Sequence, residues 1–140
     1  MGSETKTPAT FKVTAEIPVG TIRDLLVGAL EGGANYWIDE IHYEFGDTGL
    51  KIEDFRDGGK MTIDEYYHPS QLIPFVAGCG LKIVADDETY VLNLESLQRG
   101  LQVMADKYTN HYADFLNQNG DATTSDIFLQ CCLFGETVYG

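Results

Sequence analysis

Asn93-Leu-Glu-Ser-Leu-Gln-Arg-Gly-Leu-Gln-Val-Met-Ala-Asp-Lys-Tyr-Thr-Asn-His-Tyr-Ala-Asp-Phe115 is the stretch on which the fold of this chain turns. Leu94, Leu97, Leu101, Met104, Tyr108, Tyr112 and Phe115 recur in it at spacings of three and four, which makes one apolar stripe along an α-helix. Asn93 stands where an N-cap belongs and Gly120 supplies the stop. The spacing therefore predicts one long helix between them. Beyond it, Thr123 and Asp126 have the spacing of a capping box for a last helix running to Phe134. That segment is apolar on nearly every side, Gln130 excepted, so it is expected to lie at the centre of the molecule.

Upstream of Asn93 the period drops to two. Phe11, Val13, Ala15 and Ile17 alternate with Lys12, Thr14 and Glu16, the pattern of a half-buried strand closed by Pro18 and Gly20. A helix follows from Thr21, with Ile22, Leu25, Leu26, Ala29 and Leu30 on one stripe and Gly32-Gly33 at its end. Trp37 to Phe45 reads as a second strand. Leu50 to Phe55 reads as a short extended piece and Met61 to Tyr67 as a further strand. Gly46 to Gly49 and Arg56 to Lys60 are turns. Ser70 can cap a helical turn through Val76. Leu81 to Ala85 and Thr89 to Leu92 form a hairpin around Asp86-Asp87-Glu88. The order is strand, helix, several strands, then two helices, with no βαβ alternation. The expected class is α+β: an antiparallel or mixed sheet with helices packed mainly on one face. Residues 1–9 read as a flexible tail and 10–140 as a single domain.

The 140 residues suffice for one core without metal or disulfide support. No apolar run approaches a bilayer span, and no signal core follows the N-terminal charges. Three cysteines, Cys79, Cys131 and Cys132, two of them adjacent in an apolar helix, read as core residues in a reducing cytoplasm. The net charge of −13 opposes direct binding to a nucleic-acid backbone. Nine acids fall between Asp39 and Glu65, against Lys51, Arg56 and Lys60. That density reads either as a solvated face or as a phosphate-like track facing a basic protein.

No nucleophile elbow, P-loop, His-Glu-x-x-His or paired Cys-x-x-Cys is present. His42, His68 and His111 fall on separate elements. His111 and Asp114 share one helix face but lack further metal ligands. The chain is therefore read as non-enzymatic, without metal or cofactor; a small hydrolase using buried acids ranks last. The strongest binding hint is a pair of helices that end on glycine and run into large rings: Glu31-Gly32-Gly33-Ala34-Asn35-Tyr36-Trp37, and Phe134-Gly135 leading to Tyr139. Tyr36 and Trp37 are expected to stack on a base-like ring, with Asn35 hydrogen-bonding it. Arg56 and Lys60, flanking Gly58-Gly59, are expected to meet its phosphates. Arg23 and Arg99 are further candidate cations.

The blocks Glu31 to Trp37, Asp121 to Gln130 and Phe134 to Gly140 resemble small uncharacterised proteins of bacteriophages and prophages. The resemblance implies an accessory, anti-defence role in the host cytoplasm. Two expectations follow from it: sequestration of a small nucleotide-like ligand, or acidic mimicry of nucleic acid against a basic surface of a host defence protein. Neither requires membrane or direct nucleic-acid contact. A ligand site shared between subunits makes a homo-oligomer the expected state.

Overall fold

The structure, a computed structural model, describes residues 9–62 and 67–140. Its sheet has three antiparallel strands in the order β1-β2-β3: Glu40–Glu44, Gly80–Ala85 and Glu88–Leu92. In register, Ile41 faces Ile83 and Tyr43 faces Leu81, while Ile83 faces Tyr90 and Leu81 faces Leu92. Leu81, Ile83, Ala85 and Leu92 turn one face into the core, whereas Lys82 and Val91 stay exposed. The β2–β3 hairpin turns on Asp86 and Asp87, whose φ angles of 49° and 64° suit the twist of a two-residue turn.

Four α-helices accompany this sheet among the described residues: α1 Val19–Gly28, α2 Leu94–Lys107, α3 Thr109–Leu116 and α4 Ala122–Phe134. The architecture is α+β, with the C-terminal helix α4 packed against α1, α2 and β3. Phe128, Leu129, Gln130, Cys131 and Cys132 are all sealed from solvent, as the nearly all-round apolar pattern predicts. Helices α2 and α4 approach closely at Gly100. A Cβ there would fall 2.7 Å from the Cys132 backbone, so only glycine fits. Arg99 Nη2 donates to Cys132 O at 2.8 Å and Lys107 Nζ to Gly135 O at 3.4 Å. Both cations sit at the negative end of α4, and Gly135 closes the helix in the left-handed region at φ 73°.

Several expectations give way. The long helix breaks at Tyr108, whose φ of −124° and ψ of 57° separate α2 from α3. Its hydroxyl accepts from Thr137 N at 2.8 Å, so the ring is tied to the C-terminal segment. The apolar stripe crosses this kink unbroken, which is why periodicity alone joins the two helices. The cap of α4 is Asp121, whose Oδ1 accepts from Thr124 N at 3.0 Å; Thr123 and Asp126 form no capping box. This hydrogen bond also draws the Asp121 carboxyl below its usual range. Helix α1 begins at Val19 after Pro18, without a side-chain cap. Residues 52–55 form a 3-10 turn rather than an extended piece. Two further 3-10 turns follow: Pro69–Gln71, entered through the His68 side chain, which accepts from Ser70 N, and Ile73–Phe75, which has no side-chain cap. Of the strand expected over Met61 to Tyr67, residues 63–66 lie outside the described residues, and Met61, Thr62 and Tyr67 are not in a strand.

The largest correction concerns Phe11 to Ile17. It is not a strand: Phe11 and Val13 are 91% and 92% exposed. The alternation is real, yet no strand among the described residues pairs with it. A strand needs a neighbour to satisfy its backbone, and a pattern does not provide one.

Candidate functional site

The Gly32-to-Trp37 corner is built by a widened final turn. Residues Ala29–Gly33 form a π-helical turn at the end of α1, and Ala34 N donates to Ala29 O at 2.9 Å. Neither Gly32, at an extended φ of 173°, nor Gly33 uses the left-handed region. Gly33 is needed for proximity instead, because a Cβ there would lie 2.5 Å from Ala122 O. The corner is therefore pressed against the start of α4, and Trp37 N and Ile38 N close it by donating to Ala34 O.

This packing drives Trp37 inward, to 5% exposure. Its indole N–H donates to Asp126 Oδ1 at 2.7 Å, and the Tyr36 hydroxyl donates to Asp126 Oδ2 at 2.6 Å. Gln130, one turn along α4, donates to Asp126 Oδ1 at 3.0 Å. Three donors thus satisfy one buried carboxylate without an ionic partner among the described residues, which is the condition for keeping such a group inside. The Gln130 carbonyl in turn accepts from Val138 N at 2.6 Å and Tyr139 N at 2.8 Å, while its amide donates to Tyr139 O at 3.2 Å. Gln130 therefore holds the C-terminal segment as a neighbouring strand would. That places the Tyr139 ring flat on Trp37, with centroids 5.2 Å apart and planes 2° from parallel. Phe134 tilts against both rings and takes Tyr90 edge-on at 4.7 Å.

Two phenols are held in their protonated form. Lost hydration of its hydroxyl, and then the hydrogen bond to Asp126, push Tyr36 up to about 12 although the residue as a whole is largely exposed. The 2.5 Å hydrogen bond to Asp86 Oδ2 does the same for Tyr139, also to about 12. Both hydroxyls therefore act as donors across the ordinary pH range.

The indole that was expected to stack on a guest is thus already stacked, on the protein's own Tyr139. Asn35 and Tyr36 remain at the surface; Tyr36 is 60% exposed. Tyr36 lines an open hollow of about 580 Å³ with Gly32, Gly33, Thr123, Asp126 and Gly140. Trp37 does not line it, and neither do Arg56 and Lys60. Arg56 is exposed, and its charge acts on Tyr43, whose phenol burial pushes up and Arg56 partly draws back. Lys60 pairs with Asp54 at 3.9 Å. Of the five expected ligand residues, Asn35, Tyr36, Trp37, Arg56 and Lys60, only Tyr36 lines this hollow. Arg99 is spent on Cys132 O. Arg23 is buried between the Tyr67 and Phe75 rings, at 5.3 and 4.9 Å, and its Nε meets no hydrogen-bond partner among the described residues.

Asp126 and Gln130 organise this region, and sequence reasoning gave neither of them that role. Gln130 did leave a signal, as the single polar residue of an apolar helix segment. Elsewhere, His42 Nε2 lies 2.9 Å from Glu40 and His111 Nδ1 lies 3.3 Å from Thr124 Oγ1. Among the described residues no three potential metal ligands stand together. No helix among them is long and apolar enough to cross a membrane.

The acidic residues are better displayed than the rings. Glu40, Asp47, Glu53 and Asp57 are exposed along β1 and the three turns that follow it, and Asp86, Asp87 and Glu88 are exposed at the hairpin tip. Among the described residues two side-chain ion pairs form, joining Asp54 to Lys60 and Glu44 to Lys82, and Glu40 lies within hydrogen-bond distance of His42. Asp64 and Glu65 of the acidic stretch lie outside the described residues. Comparison with protein-family models, curated proteins and solved structures returned no match to this chain.

Proposed function

We propose that this chain is a non-enzymatic, cytoplasmic binding protein that presents the acidic track along β1 and its following turns to a basic surface of a partner protein. One observation carries this reading: Asp47, Glu53 and Asp57 stand exposed without an ion-pair partner among the described residues, in a chain of net charge −13. Carboxylates held on a sheet edge and tight turns can substitute for phosphates in a basic groove, and their long-range field speeds encounter with it. The resemblance of the Glu31 and Asp121 blocks to phage proteins points to a host defence protein as that partner.

The test is displacement of duplex DNA from a basic DNA-binding protein, titrated with salt. A variant carrying Glu40→Gln, Asp47→Asn, Glu53→Gln and Asp57→Asn is compared with one of equal charge loss elsewhere, Asp24→Asn, Glu95→Gln, Asp106→Asn and Asp114→Asn. Selective loss of displacement in the first supports the track. Equal loss in both leaves only bulk charge and overturns the reading.

A nucleotide-like ligand keeps one supporting observation, the hollow beside exposed Tyr36. Its lining contains Asp126 and no cation, so the hollow favours an uncharged or cationic ring over a phosphate. A melting rise of several degrees with one member of a panel of cyclic and linear nucleotides, abolished by Tyr36→Ala, would favour this second reading.

A further inference from the structure

The arm at residues 9–17 carries strand-type alternation but pairs with no strand among the described residues, and it runs into an apolar groove. Ala15 and Ile17 at the arm's root, Ile22 of α1, and Leu94, Leu97 and Leu101 of α2 line this groove, whose volume is about 340 Å³. Leu94 also borders a second hollow that reaches Val91 on β3. Of the nine large apolar side chains exposed among the described residues, Phe11 and Val13 lie on the arm, and Val19, Leu94 and Val91 line these two hollows. Such a concentration marks an interaction surface rather than scattered exposure.

We propose that the chain pairs with a second copy of itself by exchanging arms, with Phe11 and Val13 of each copy seated in the groove between α1 and α2 of the other. Three features select this occupant. Arm and groove lie on the same chain and adjoin, so one two-fold axis satisfies both at once, as an isologous contact requires. The arm's root already forms a wall of its own groove, while Phe11 and Val13 stand away from it at 91% and 92% exposure. Charge points the same way. Lys12 and Glu16 cancel along the arm, and Glu16 is the one ionisable residue of the groove lining. Two molecules of charge −13 repel wherever their acidic surfaces meet; this neutral patch lets them approach.

Sedimentation velocity of the full chain across a concentration series tests the pairing. The expected result is a mass that doubles with concentration, at lower concentration as salt is added, because salt screens the repulsion between copies. A mass fixed at one chain overturns the proposal. Phe11→Asp with Val13→Asp should restore the single-chain mass while keeping the parent's melting temperature at a concentration where the parent is also a single chain; an intact dimer in that variant also overturns it. A third measurement places the arm. Val13→Cys protein mixed with Leu94→Cys protein in oxidised glutathione should yield the mixed disulfide between two chains. A Val13→Cys, Leu94→Cys double variant that closes the bond only within one chain would mean that each arm folds onto its own groove, and exchange fails.

Discussion

At the scale of the residue, the decisive pair is Trp37 and Asp126. The indole fills the interior and supplies one of the three hydrogen bonds that make a buried carboxylate tolerable. Trp37→Ala should cost about 3–5 kcal/mol of stability, since it removes a large buried ring and strands an acceptor oxygen. Trp37→Phe should keep most of the packing and lose about 1–3 kcal/mol, for the missing donor alone. Urea unfolding of both variants measures the difference; a Trp37→Phe variant as stable as the parent would show that the hydrogen bond contributes nothing. The tyrosines allow a second check. A phenol whose folded pKa stands near 12, against 10 when unfolded, contributes stability that is complete below pH 10 and disappears as pH rises towards 12. Phenolate absorbance should therefore show Tyr36 and Tyr139 titrating late, and Asp126→Asn should bring Tyr36 forward while leaving Tyr139 in place.

At the scale of the element, α4 sets the arrangement of its neighbours. It receives α2 at Gly100, accepts the Arg99 and Lys107 cations at its C-terminal end, and holds the segment beyond Gly135 through Gln130. Gly100→Ala should force α2 and α4 apart and destabilise by about 1–3 kcal/mol, although alanine is the better helix former; the melting temperature reads the sign. The centrality of α4 was legible in the sequence because an apolar pattern on every side has one reading. So were the hairpin at Asp86-Asp87 and the Asn93 cap, where local chemistry fixes local geometry. The break at Tyr108 was not: the apolar stripe runs through it unbroken, and the residue that holds the Tyr108 ring there, Thr137, is 29 residues away. The Phe11 arm shows the opposite failure: its pattern is explicit, but pairing depends on a neighbour the pattern does not contain. At the candidate site, the glycine corner and the large rings beside it could be read from the chain. That Trp37 would turn inward onto Tyr139 could not, since the two lie far apart in sequence.

At the scale of the whole molecule, charge dominates. With 22 acids against 9 Lys and Arg, self-repulsion opposes compactness. Stability should rise as sodium chloride screens that repulsion, with most of the gain complete once the Debye length falls to about 10 Å. Thermal melts in increasing salt measure it, and a flat response would mean that the acids stand too far apart to interact. The same salt series discriminates between partners: capture of a basic surface weakens while arm exchange strengthens. One titration can therefore report on the acidic track and the neutral patch independently.

The three cysteines are all buried, and burial raises the thiol of Cys131 to about 11 and pushes that of Cys132 up as well. An alkylating reagent such as iodoacetamide needs an accessible thiolate, so the native protein should resist it. Each carbamidomethyl group acquired at Cys131 or Cys132 would then record one moment at which α4 came away from its neighbours. The chain carries its own clock for that opening.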